Sequence, residues 1–174
     1  PYRLSQNLNY YYTHNDNNIF ALEAQHVIQD EDPFYNAIIE DKDSYENTAD
    51  GLGLDNNQLN YNIAQEKRVK SNQLDAKLDY WNVLNAKSNI NLTFGTILSH
   101  QKFNSNIFQF LDDGSEFDAT PTFNDGLDVN DTDYNFTDLY VAAHYQFKTG
   151  IFTFTPGVSA HAYSTNNTQF GSTY

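Results

Sequence analysis

The chain has 174 residues with thirteen Tyr, thirteen Phe and one Trp, and its nine Lys and Arg against twenty-three Asp and Glu give a formal net charge of −14. That balance excludes the basic footprint of a nucleic-acid binder, and the absence of cysteine excludes a disulfide framework and a thiolate metal site. Methionine is absent, and there is neither a signal peptide nor a run of about 18 apolar residues, so the chain reads as an internal or processed piece.

Alternation organises the chain from its start. Leu4, Leu8, Tyr10 and Tyr12 share one face of a first strand, and Phe20, Leu22, Ala24 and Ile28 one face of a second, around a turn between His14 and Asn18. A period of two with turn residues between the runs predicts a hairpin over about 2–13 and 19–29. Residues 30–69 follow, rich in Asp and Asn with little sustained period, and read as a loop. Leu74, Ala76, Leu78 and Tyr80, then Ile90, Leu92, Phe94 and Leu98, predict a second hairpin over 70–82 and 89–103, turning near Leu84 to Ala86. A second long acidic loop covers 104–136. The two loops hold eighteen of the twenty-three acidic residues, and loops this long are uncommon in compact soluble domains.

The last hairpin, 137–148 and 151–164, is the most regular. Leu139, Val141, Ala143, Tyr145 and Phe147 alternate with Asp138, His144 and Gln146; Phe152, Phe154, Pro156, Val158, Ala160 and Ala162 alternate with Thr153, Thr155, Ser159 and His161. A two-residue turn at Thr149-Gly150 would pair Lys148 with Ile151, Phe147 with Phe152, Tyr145 with Phe154 and Val141 with Val158. It would also set His161 opposite Asp138. Pro156 cannot complete a ladder, so a bulge beside Gly157 is expected there.

The fold class is therefore all-β, an antiparallel up-and-down meander of about six strands. Short turns lie at one end and long loops at the other. Aromatic residues gather at the short-turn end: Tyr10, Tyr12 and Phe20, then Tyr80 and Trp81, then Tyr145, Phe147, Phe152 and Phe154. Between them and the loops the same face is aliphatic or small, the profile of a band crossing hydrocarbon with an interfacial aromatic girdle. The apolar face is expected to meet lipid and the polar face a lumen.

These features, with the run Phe152-Thr153-Phe154-Thr155-Pro156-Gly157-Val158, resemble the barrel of Gram-negative TonB-dependent outer-membrane receptors, including the SusC-like branch. The resemblance implies a barrel of about twenty-two strands around a plug, in the bacterial outer membrane, taking up a large nutrient such as an oligosaccharide, peptide or chelate. Its implied partners are outer-membrane lipid, TonB acting through a plug, and a surface lipoprotein. No plug is recognisable in this chain. Six strands are too few to close a membrane barrel, which starts at about eight, so the chain would be one section of the wall.

Two other readings share the strand grammar: a passive porin-like channel, and a secreted soluble β-barrel or β-sandwich binding protein. No catalytic constellation is legible, because His14, His26, His100, His144 and His161 fall in no tight ligand motif. The acidic strings "LDDGSEFD" and "FNDGLDVNDTD" do not fit a calcium loop and read as a solvated extracellular face; no metal or other cofactor is expected. Phe34, Tyr35, Tyr45, Phe108, Phe110 and Phe123 are the loop rings that could stack on a ligand.

Overall fold

A computed structural model describes residues 1–118 and 130–173. Their chain order is β1 Tyr2–Asn15, β2 Asn18–Glu31, β3 Phe34–Ile39, α1 Lys42–Gly51, β4 Tyr61–Asn85, β5 Ser88–Phe110, β6 Glu116–Asp118, β7 Asn130–Thr149, β8 Phe152–Phe154, β9 Gly157–Gln169 and β10 Ser172–Thr173. All strands join one antiparallel sheet in the order β1-β2-β4-β5-β7-β9-β10. The short β3, β6 and β8 lie off that path, beside β4, β5 and β7. The sheet is open: among the described residues β1 has no neighbour on its outer side, and β9 has only the two residues of β10.

Local chemistry accounts for the turns. The Asn15 carboxamide oxygen accepts from the Asn17 backbone N–H at 3.0 Å, and that of Asn85 from the Lys87 N–H at 2.9 Å. In each case an Asn side chain folds the chain back on itself. The third turn puts Gly150, at φ 57°, in the first central position, with Ile151 in the second. Thr149 pairs with Phe152 and Phe147 with Phe154, so the register is two residues away from the predicted one. Phe147 therefore does not face Phe152, and Val141 faces Ala160 rather than Val158. An even shift leaves every side chain on its predicted face.

Pro156 interrupts the ladder between β8 and β9, but no bulge forms. The register is unchanged across it, from Phe147 beside Phe154 to His144 beside Gly157. Its carbonyl accepts the Tyr145 N–H at 2.9 Å, and the return bond is missing because proline has no donor.

Three strands run much further than the apolar alternation does. β4 has 25 residues, β5 23 and β7 20, and each extends into a segment predicted as loop. Residues 30–69 and 104–136 therefore contain β3, α1, β6 and the ends of β4, β5 and β7. In Gln65-Glu66-Lys67-Arg68 both faces are polar, so the period of two vanishes while the backbone ladder continues. Helix α1 is closed off two residues past its end by Gly53 (φ 70°), whose N–H bonds the Asp50 carbonyl at 3.0 Å. The buried cluster of Ala49, Leu54 and Tyr61, with Ile39 and Ile63 against it, sits at this loop end of the sheet.

Candidate functional site

Cross-strand register assembles the side chains into rows. On one face, here called outer, Tyr12, Phe20, Tyr80, Leu92, Ala143 and Val158 form a row across the six long strands. The next row toward the loops is Tyr10, Leu22, Leu78, Phe94, Val141 and Ala160. The one after it is Leu8, Ala24, Ala76, Thr96, Leu139 and Ala162. The next row is mixed, with Gln6, His26, Thr137 and Ser164 beside Leu74 and Leu98; beyond it Leu4 and Ile28 share a row with Asn72, His100, Asn135 and Asn166, and Asp30, Lys70, Lys102 and Asp133 occupy the following one.

The apolar band is not level with the rows. On the first hairpin its loop-side apolar residues reach Leu4 and Ile28, the level of Asn72 on β4, past the polar pair Gln6 and His26 one row earlier. The loop-side limit is Leu74 and Leu98 on the second hairpin, and Leu139 and Ala162, the level of Ala76, on the third. The opposite limit moves in step, from Tyr12 and Phe20 through Ile90 to Phe147 and Phe154. The band thus drifts two residues per hairpin. At about 3.3 Å per residue and about 4.8 Å per strand spacing, its edge makes an angle of about 35° with the perpendicular to the strands.

The inner face carries the opposite character. Glu23, Asp75, Lys77, Asp79 and Asp138 lie on it, at the same levels where the outer face has no charge. Lys77 Nζ bridges Glu23 Oε2 at 3.2 Å and Asp79 Oδ2 at 3.4 Å, and the Thr93 hydroxyl donates to Asp79. Exposure is inverted relative to a water-soluble sheet. Asp79 and Asp138 are 7% and 5% exposed, whereas Leu78, Phe94 and Val141, all on strands flanked on both sides, are 40%, 53% and 47% exposed.

Rings lie along the inner face beside β7. A Cβ on Gly95 would meet Tyr140 Cζ at 2.0 Å, so glycine there lets the Tyr140 ring lie over the β5 backbone. His161 stacks on Tyr140 with centroids 5.2 Å apart, and Tyr163 on His161 at 5.4 Å. His161 is paired across the strands with Tyr140, not with Asp138 as predicted. It still reaches that carboxylate diagonally, Nδ1 to Oδ2 at 3.0 Å. Among the described residues no serine or cysteine completes a nucleophilic arrangement with the pair, and the contact is a hydrogen bond within the inner face.

At the loop end, α1 and the segment after it fold over this inner face. Gln109, fully buried, accepts the Asp55 N–H at 2.8 Å and donates to the Asp55 carbonyl at 3.0 Å. The Asp55 carboxylate accepts the Asn57 N–H at 2.9 Å and the Gln58 amide at 2.7 Å. These bonds, the Asn57 N–H foremost, hold its pKa below the ordinary 3.8. Nothing in the local pattern around Gln109 marks it; its partner lies 54 positions away.

Eight of the nine predicted girdle residues, Tyr10, Tyr12, Phe20, Tyr80, Tyr145, Phe147, Phe152 and Phe154, share the outer face. Tyr12, Phe20 and Tyr80 form one ring ladder, and Tyr145, Phe147 and Phe154 another. Trp81 is the exception. Its odd position in β4 puts it on the inner face with Ile19 and Asn91. The loop rings do not form one site. Phe108 is buried and edge-on to Phe110, which lies 6.5 Å from exposed Phe34, while Tyr35 packs under Lys67 and Tyr45 is exposed on α1. Phe123 lies outside the described residues. In the string "LDDGSEFD", Asp113 accepts from Ser115 and Asp112 from the Leu59 N–H, so both carboxylates serve the loop itself. No protein-family model matches this chain, and no curated protein matches it.

Proposed function

We propose that this sheet is a section of the wall of a transmembrane β-barrel in the bacterial outer membrane, serving uptake across that membrane. The observation that carries the reading is the oblique, charge-free band on the exposed outer face. A lipid slab cuts tilted strands at successively shifted residues, and a tilt of about 35–45° is the geometry of closed barrels. The band spans eight residues on every strand except β4, where it runs only from Leu74 to Tyr80 with Asn82 opposite Ile90; eight residues are about 26 Å along a strand and about 22 Å along the membrane normal once tilted, close to the roughly 25 Å of outer-membrane barrels. A soluble sandwich has no cause to slant its apolar face in this way or to bury its carboxylates instead.

The inner face then lines a polar lumen, with α1 over it at the loop end. The family resemblance carries the reading further, to a TonB-dependent receptor for a large nutrient, with a plug and energy drawn from the inner membrane. Uptake that stops when the proton-motive force is collapsed supports that step; uptake that persists assigns a passive channel.

The wall itself is tested by spin labels carried on lipid acyl chains. Fluorophores at 141 and 158 are expected to be quenched strongly and those at 142 and 159 weakly, since Val141 and Val158 are outer and Ala142 and Ser159 inner. Equal quenching at both parities overturns the reading.

A further inference from the structure

The outer face also locates its charges. Every charged side chain on that face of β1, β2, β4, β5, β7 and β9 lies at or beyond the row of Asp30, Lys70, Lys102 and Asp133 on the loop side. Three are cations, Arg68, Lys70 and Lys102, and they occupy two successive rows. The chain has only nine Lys and Arg against twenty-three acids. Four carboxylates, Asp30, Glu66, Asp131 and Asp133, share this end of the face, so the level is mixed in charge and the cations are distinguished by standing side by side.

Lys70 and Lys102 are direct cross-strand partners, both exposed. Like charges placed opposite each other destabilise a sheet unless an anion lies between them. Each lysine has a carboxylate as its other cross-strand partner, Asp30 for Lys70 and Asp133 for Lys102, but both carboxylates are shared with other groups and neither lies between the two ammonium groups. Asp30 is committed to Arg68 at 3.1 Å and is 3.8 Å from Lys70, and Asp133 lies 3.5 Å from His100. Among the described residues no carboxylate is within ion-pair distance of Lys102. The pair stands four residues beyond Leu74 and Leu98, about 11 Å past the hydrocarbon edge, within the headgroup layer for a lysine that bends along the surface.

We infer that Lys70 and Lys102 form a site for the phosphate of a lipid headgroup in the leaflet at the loop side, with Arg68 beside it. The inference rests on the outer face meeting lipid. Continuity with the apolar band makes the occupant a lipid: its acyl chains lie on Leu74, Leu98 and Phe94 while its phosphate neutralises the two ammonium groups.

The test uses the intact, delipidated protein in detergent, offered phosphatidylglycerol or phosphatidylcholine of the same acyl chains, with retained lipid read by native mass spectrometry. Wild type is expected to retain the anionic lipid about tenfold better. K70Q/K102Q loses that preference, K70R/K102R keeps it, and K87Q/K148Q, with charges removed near the short turns, keeps it. Preference unchanged in K70Q/K102Q overturns the inference, as does equal retention of both lipids by wild type. Displacement of the anionic lipid by inorganic phosphate at millimolar concentration assigns a free-phosphate site and overturns the lipid one. Retention of neither lipid overturns the wall reading as well, so the two failures are distinguishable.

Discussion

Val141 and Ala142 are adjacent residues with opposite surroundings. Val141 stands between Phe94 and Ala160 on the exposed apolar face; Ala142 stands between Thr93 and Ser159 on the polar one. If the outer face meets lipid as proposed, Arg at 141 places a cation in hydrocarbon near the middle of the band. Val141→Arg is expected to cost about 2–4 kcal/mol of stability in lipid. Arg at 142 projects from the face that carries Asp79 and Asp138, so Ala142→Arg is expected to cost about 1 kcal/mol or less, in keeping with a solvated ionic contact. Denaturant titration of the protein folded in lipid vesicles measures both, and equal costs would contradict the assignment of faces.

At the scale of elements, the loop-end cap depends on one ionised side chain. Asp55 bonds Asn57 and Gln58 more strongly as the carboxylate than as the protonated acid. Its pKa is lowered in the folded cap, so the stabilisation is complete above the ordinary 3.8 and is lost as the pH falls through the lowered folded value. Protection of the Asn57 amide from hydrogen exchange, corrected for intrinsic rate, is expected to hold from about pH 6 to about pH 4 and to drop toward about pH 2. Asp55→Asn should remove that pH dependence. Unchanged protection of wild type at the acid end would show that the cap is held by Gln109 and the Ala49–Leu54–Tyr61 cluster alone.

The whole molecule is an open sheet with an exposed apolar face and two long edges. Among the described residues the outer side of β1 is unpaired along its 14 residues, which carry a single charged side chain, Arg3; the 13 residues of β9 carry none. Neither edge strand carries a lysine or, apart from the break at Pro156, a proline, so two of the devices natural sheets use against unwanted pairing are missing there. On the proposed wall reading, lipid covers that face and further strands continue its edges. Without detergent the protein is therefore expected to aggregate in light scattering, and with detergent to be monodisperse. A monodisperse detergent-free solution at high concentration would assign the exposed face to water and end the membrane reading.

How much of this was legible beforehand follows from where water contrasts with something else. Where one face is apolar and the other polar, as from Leu74 to Tyr80 or Leu139 to Phe147, alternation alone determined strand, face and antiparallel neighbour, because side chains alternate with a strict period of two. Where both faces are polar, as in Gln65 to Arg68, that signal is silent, and only the backbone ladder of the folded sheet revealed that β4 continues. Trp81 was misplaced by grouping it with Tyr80 by type, although its parity already assigned it to the inner face. Register across the Gly150 turn, the Gln109 bond to Asp55, the drift of the apolar band and the meeting of Lys70 with Lys102 were decided by tertiary structure. Each depends on which residues of distant strands stand opposite one another, and a one-dimensional pattern does not carry that information.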